Sequence, residues 1–220
     1  MTAATANAAG HAPTERLSAH AAWRDDGPLA RTLGRALPGS RRVPAAPLLV
    51  VAVVPLIVAL AVDGADTPRG LAAAVLAWLI LWGGASSGAS LTDRLNWAVP
   101  PLVRAGEYVS LIWIATLHGA SEPAAFALLC ALAFRHYDLV YRLRHRGATP
   151  ATWVDAISLG WDGRLILAFV LLVVGALPAA WFIWAALLGA VFVGEAVVGW
   201  VAHGRELRTV DYEDEEDEGQ

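Results

Sequence analysis

The sequence predicts an all-α fold, a polytopic membrane bundle of six transmembrane helices with both termini inside. Three observations carry that expectation. Hydrophobic residues make up 57% of the 220-residue chain and charged residues only 16%, whereas a soluble domain carries about 25% charged residues. Apolar runs near membrane-crossing length recur along the chain, and about 20 residues cross the hydrocarbon core. The arginines fall almost wholly on one set of connections.

Residues 1–42 are rich in Ala, Pro and Arg and hold no apolar run. They read as a disordered cytoplasmic tail, with a short amphipathic helix around Leu17–Leu37 that could touch the interface. The first apolar run begins near Val43, too late for a signal peptide. The transmembrane domain is expected over 43–204. Its apolar segments lie at 46–62, 70–86, 99–117, 123–142, 164–177 and 179–202. Arg104 and Glu107 interrupt the third, and Gly175-Ala176-Leu177-Pro178 offers the turn between the last two. The segment 147–163 reads as a cytoplasmic loop with a short interfacial helix around Trp153. Residues 205–220 form an acidic cytoplasmic tail, in which DYEDEEDE is a run of like charges expected to be disordered and solvated.

Orientation follows from arginine placement. With the N-terminus inside, thirteen arginines fall on inner segments and only Arg69 on an outer loop, while Arg104 and Arg135 lie within spans. All sixteen basic residues are arginine. With the heavy use of Ala, Gly, Val and Leu, that reads as the codon bias of a high-GC bacterial genome, and the expected location is the bacterial plasma membrane.

This topology serves as a ruler. Arg104 and Glu107 lie five and eight residues into the third helix, roughly 8–12 Å deep at 1.5 Å per residue. Arg135 and Asp138 lie at a similar depth in the fourth helix, and Glu195 in the sixth. Facing such groups to lipid costs a few kcal/mol each, so they are expected to face each other or a water-filled cleft. Arg135, Asp138 and Arg142 fall at i, i+3 and i+7 on one stripe. Asp93 and Arg94 open the third helix, and Asp162 and Arg164 open the fifth. The candidate binding site is thus a polar cleft of Asp93, Arg94, Arg104, Glu107, Arg135, Asp138, Arg142, Asp162, Arg164 and Glu195. Arginine forks match phosphate.

Plainer readings stand beside this one. Arg142, Arg144, His145 and Arg146 serve as topology anchors, and Arg104 and Arg135 can snorkel to headgroups. Arg104–Glu107 and Arg135–Asp138 can be structural ion pairs. Glu195 has no arginine within a turn and needs a partner from another helix, or a proton. Cys130 is the single cysteine, which excludes an intrachain disulfide and a cysteine metal cluster. No metal-ligand spacing, glycine-rich phosphate loop or nucleophile elbow occurs. No metal, cofactor or nucleic-acid partner is expected, and the partners read from the pattern are membrane lipids.

The stretches DRLNWAVPPLVRAGEY, FRHYDLVYRLRHRG and GWDGRLILAF resemble a bacterial membrane domain of unknown function over roughly 45–205. That domain often sits C-terminal to a CDP-alcohol phosphatidyltransferase domain. A looser similarity links the chain to the C-terminal half of the phosphatidyltransferases themselves, with Tyr141–Arg146 and Asp162-Gly163-Arg164 at the matching places. The resemblance implies a place in envelope phospholipid synthesis, with an anionic headgroup, a phosphatidyltransferase or a second copy of the chain as partner. The enzymes' signature, D-x2-D-G-x2-A-R-x8-G-x3-D-x3-D, holds divalent metals for phosphoryl chemistry. The corresponding region here, ILWGGASSGASLTDRLNWAV, has only Asp93 as a carboxylate. One carboxylate cannot build that two-metal site, so a non-catalytic partner is expected. The alternatives are a divergent lipid-linked phosphotransferase using Glu107, Asp138, Asp162 or Glu195, and a small transporter with a buried Arg/Glu relay.

Overall fold

The structure, a computed structural model, describes residues 22–37, 42–89, 94–117, 122–145, 151–177 and 179–218. Secondary structure among them is helical throughout. The helices are α1 Pro28–Ala36, α2 Ala45–Val62, α3 Arg69–Ala85, α4 Val99–Thr116, α5 Glu122–His145, α6 Thr152–Ser158, α7 Gly160–Val173 and α8 Ala179–Glu218. Short 3-10 turns occupy Gly64–Asp66, Ser86–Gly88 and Asn96–Ala98.

Five helical stretches are long and apolar enough to cross a membrane: Ala45–Val62, Arg69–Gly88, Glu122–Arg144, Trp153–Val173 and Ala179–Ala202. The chain is a membrane protein by this measure. The expected count was six. The difference is α4, which equals α2 in length at 18 residues but is made less apolar by Arg104, Glu107 and its opening prolines. It is nevertheless an interior helix, packed on α2, α5 and α7. At its C-terminal end the Trp113 indole donates to the Gly64 carbonyl in the α2–α3 connection, at 2.9 Å. Near its start, Arg104 donates to the Trp23 carbonyl at 2.7 Å. The helix therefore runs from the N-terminal segment to the α2–α3 connection.

Burial decides the remaining packing. The most extensive helix pairs are α5 with α8 and α2 with α3. The core draws on all of them through Leu56, Leu79, Leu111, Ile114, Leu128, Leu132, Leu165 and Phe192. Val50, Val54, Ile57 and Val58 of α2 and Ile183, Leu187 and Val198 of α8 stay exposed, as befits faces turned to lipid. The chain turns as expected after α7, which ends at Val173, with Gly175 at φ +72°; Pro178 lies outside the described residues.

Two segments differ from expectation. Residues 22–37 lie within the stretch read as a tail; a helix is present within the expected Leu17–Leu37 segment as α1, but it packs on α3, α7 and the 86–88 turn. Gly34 and Gly88 make that approach feasible, since a Cβ on either would overlap the other's loop. The acidic run near the C-terminus, read as disordered, continues α8 to Glu218. At 40 residues this helix is about 60 Å long, twice the roughly 30 Å hydrocarbon core.

One lipid-facing detail shows how the bundle satisfies its backbone. Pro55 lies inside α2 and has no N–H to give the Val51 carbonyl four residues earlier. Trp78 of α3 supplies the missing donor, its indole Nε1 reaching Val51 O at 2.9 Å. In hydrocarbon no water could replace it. We expect Trp78→Phe to destabilise the protein by about 1 kcal/mol more in the natural background than in a Pro55→Ala background, where the helix satisfies its own carbonyl. Thermal unfolding of the four variants of this cycle checks it, and equal penalties would show that the bond carries no weight.

Candidate functional site

The charged residues converge where α4, α5 and α7 meet the turn before α1. Arg164 is at the centre, with 0% of its surface exposed. Its Nε donates to Glu107 Oε1 at 2.5 Å, Nη1 to the Ser158 carbonyl at 2.9 Å and Nη2 to Asp25 Oδ2 at 2.7 Å. Arg104 lies beside it, with Nη1 3.3 Å from Glu107 Oε2 and 3.4 Å from Asp25 Oδ2. Two arginines thus face two carboxylates. His136 of α5 closes the cluster, its Nε2 3.6 Å from Asp25 Oδ2 and its Nδ1 2.6 Å from the Tyr108 hydroxyl. Burial alone would raise the Asp25 carboxyl. Arg164 foremost, then His136 and Arg104, outweigh it and hold the group well below the usual carboxylate range.

Asp25 can reach this position because the chain reverses there. Its φ is +52°, a left-handed conformation that Asp tolerates better than most residues. Its own carbonyl accepts the Trp161 N–H at 3.1 Å. Asp162 then caps α1 from another helix. Its carboxylate accepts the backbone N–H groups of Gly27, Leu29 and Ala30 at 2.6, 3.0 and 3.1 Å. These are donors that a helix N-terminus leaves unpaired, and a negative charge there also suits the helix dipole. Arg24 adds a pair to Asp26 at 2.7 Å and a bond to Ser86 Oγ at 2.9 Å. Asp26 in turn accepts the Trp161 indole at 2.8 Å.

A second cluster joins α5 to α8. Arg142 grips Glu195 through both Nη atoms, at 2.7 and 2.8 Å, and its Nε lies 2.8 Å from Asp138 Oδ2 one turn back. Gly199 leaves room for the guanidinium against α8. Arg135 reaches instead to Asp155 of α6 at 2.6 Å, with its guanidinium carbon 5.4 Å from the centre of the Phe192 ring.

The sequence-predicted site is therefore divided. Arg104, Glu107 and Arg164 share the first cluster, and Asp138, Arg142 and Glu195 the second. Arg104–Glu107 is an ion pair as expected. Arg135–Asp138 is not: α5 turns Arg135 to Asp155 and Asp138 to Arg142. Glu195 finds the partner from another helix that it needs. Asp162 caps a helix and lines no cleft. Arg94 is exposed at the turn before α4. Asp93, Arg146 and His118 lie outside the described residues. The sequence reading missed Arg24, Asp25, Asp26, His136 and Asp155. Asp25-Asp26-Gly27-Pro28 carried the signal, a turn motif with proline at the first helical position. Its two carboxylates are also the only ones between Glu15 and Asp63.

Among the described residues no group of three His, Cys, Asp or Glu side chains could hold a metal ion. A pocket of about 400 Å³ opens between α4 and α5, on the end side of the Tyr108–His136 stack, with Arg104, His136 and Arg144 in its lining.

Comparison with known proteins gives one match. The sequence profile of a family of unknown function, DUF5941, matches residues 15–218. No curated protein and no solved structure matches the chain.

Two outcomes follow from the clusters. Arg142→Ala leaves Asp138 and Glu195 without their cation, and breaking a buried pair costs about 3–5 kcal/mol. Arg144→Ala, at an exposed position two residues on, is expected to change unfolding little. Equal losses in thermal melts would show that Arg142 is only an anchor. The second outcome is acid sensitivity. Because the Asp25 carboxyl is depressed, its stabilisation is full above an unfolded pKa of about 3.9 and disappears as pH falls through the lower folded value. Asp25→Asn should lower the melting temperature at pH 7 and converge with the natural protein at strongly acid pH. A constant gap down to pH 2 would contradict this.

Proposed function

The chain belongs to this family of unknown function, and we propose that it is a non-catalytic membrane partner in envelope phospholipid synthesis. The observation that carries the reading is the commitment of the carboxylates in the described clusters. Asp25 and Glu107 are held by Arg164 and Arg104, Asp138 and Glu195 by Arg142, Asp155 by Arg135, and Asp162 by three backbone N–H groups. A phosphotransferase needs carboxylates free to take a metal or a proton. A helix bundle locked by such pairs supplies a rigid end instead, suited to an anionic headgroup or to a phosphatidyltransferase. The resemblance of 45–205 to a domain often fused to such an enzyme supports the same reading.

The topology proposed with it has six crossings, both termini on the cytoplasmic side and the bacterial plasma membrane as location. The end-to-end run of α4 favours the sixth crossing. The arginine clusters at the end holding α1 favour placing that end inside.

The test has two parts. The purified chain in lipid nanodiscs with magnesium and a panel of CDP-alcohols should transfer no headgroup above protein-free nanodiscs. Deleting its gene should shift the ratio of anionic to zwitterionic phospholipids in the cell. Transfer by the chain alone, abolished by Glu107→Gln, would reinstate the enzyme reading, and an unchanged phospholipid profile would remove the pathway assignment.

A further inference from the structure

We propose that the pocket between α4 and α5 binds the phosphodiester headgroup of an anionic phospholipid. The inference deepens the functional reading above and rests on it for the class of ligand. The pocket borders the first ion cluster, with which it shares Arg104 and His136.

Three properties of the pocket define its ligand. The first is charge. Arg104 shares its Nη1 between Asp25 and Glu107 and gives Nη2 to the Trp23 carbonyl. With Arg164 it balances those two carboxylates. Arg144 also lines the pocket and has no ion-pair partner among the described residues. Among the described residues the pocket therefore keeps one positive charge in excess, which matches the single negative charge of a phosphodiester. A guanidinium suits phosphate oxygens through its fork of donors.

The second property is unmet hydrogen-bonding capacity. Trp23 and His136 both line the pocket; Trp23 Nε1 is buried without a hydrogen-bond partner, whereas His136 Nε2 faces Asp25 Oδ2 at 3.6 Å. An indole N–H can only donate. With the Tyr108 hydroxyl donating to Nδ1, His136 Nε2 carries a proton as well. An unpaired indole donor beside two arginines suits a ligand that accepts hydrogen bonds, and a phosphate oxygen is such an acceptor.

The third property is depth. His136, Val140 and Arg144 are spaced i, i+4 and i+8, one stripe of α5. The apolar stretch of that helix ends at Arg144, so the pocket straddles the boundary between hydrocarbon and headgroups. Trp97 on its rim is 75% exposed, the placement of an interfacial tryptophan. Val140 is 42% exposed, so the wall continues onto a lipid-facing surface along which acyl chains can lie. A volume of about 400 Å³ falls in the range of small-molecule sites. A free phosphate ion would leave those apolar walls unfilled.

The experiment uses the full chain, purified in a neutral detergent. Short-chain phosphatidylglycerol, phosphatidylcholine and inorganic phosphate are titrated separately while the melting temperature is followed. Phosphatidylglycerol should raise it saturably, and the other two should not at the same concentrations. Arg144→Ala and Val140→Trp should each weaken the apparent affinity at least tenfold, and Arg144→Lys should retain most of it. Arg69→Ala, an equal loss of charge at the other end of the bundle, should leave it unchanged. Equal stabilisation of Val140→Trp and natural protein would overturn the site. A shift produced equally by phosphatidylcholine or by phosphate alone would overturn the ligand. Failure here, with the phospholipid profile still altered in the deletion strain, would remove the pocket and leave the functional reading standing. An unaltered profile with binding intact would do the reverse.

Discussion

A guanidinium that cannot lose its proton lies fully buried at Arg164, and the architecture around it follows from neutralising it. Desolvating such a group costs several kcal/mol, and only good geometry on every donor offsets that cost. Glu107 on α4, Asp25 before α1 and the Ser158 carbonyl at the end of α6 meet its three nitrogens. Three chain segments far apart in sequence are thereby fixed at one point. Removing any of them strands a charge where water cannot reach it.

The N-terminal segment is the clearest dependent of this constraint. Alone, 22–37 holds too few apolar residues and too short a helix to persist in water. It is ordered because Asp25 answers Arg164 and Arg104, Asp162 answers the open N-terminus of α1, and Gly34 lets the helix lie against the 86–88 turn. Leu159 and Gly160, both at positive φ, break the chain between α6 and α7. That break brings the Ser158 carbonyl and Trp161 to the same place. The polar end of the bundle is thus a built structure and not a fringe of anchoring charges.

The second cluster obeys the same rule with a different outcome. Arg142 is held bidentately across to α8, whereas Arg135 meets a carboxylate on α6 that is 49% exposed. The first bond is geometrically tight and shielded. The second is open to solvent screening and worth correspondingly less. Between α4 and α5, by contrast, Arg104, His136 and Arg144 border space that no described side chain fills. The two clusters spend their carboxylates on rigidity, and Arg144 at the pocket has no ion-pair partner among the described residues.

The sequence by itself determined the helical membrane class, most helix boundaries, the turn at 175–178 and the burial of charges within the apolar segments. Those properties are local: apolar run length, glycine and proline punctuation, and the cost of a charge in hydrocarbon act on neighbouring residues. It could also say that Glu195 needs a partner and that Arg104 and Glu107 stand one turn apart. Only the tertiary structure decided which charges meet. Arg135 and Asp138 share a helical stripe, yet one turns to Asp155 and the other to Arg142. Side-chain reach across helix contacts outweighs spacing within one helix once α6 and α8 are packed. The role of Asp25 was equally hidden. A carboxylate in a polar, arginine-rich tail looks solvated until the fold presents it with the buried Arg164 and the partly buried Arg104, and helical periodicity carries no information about such a meeting.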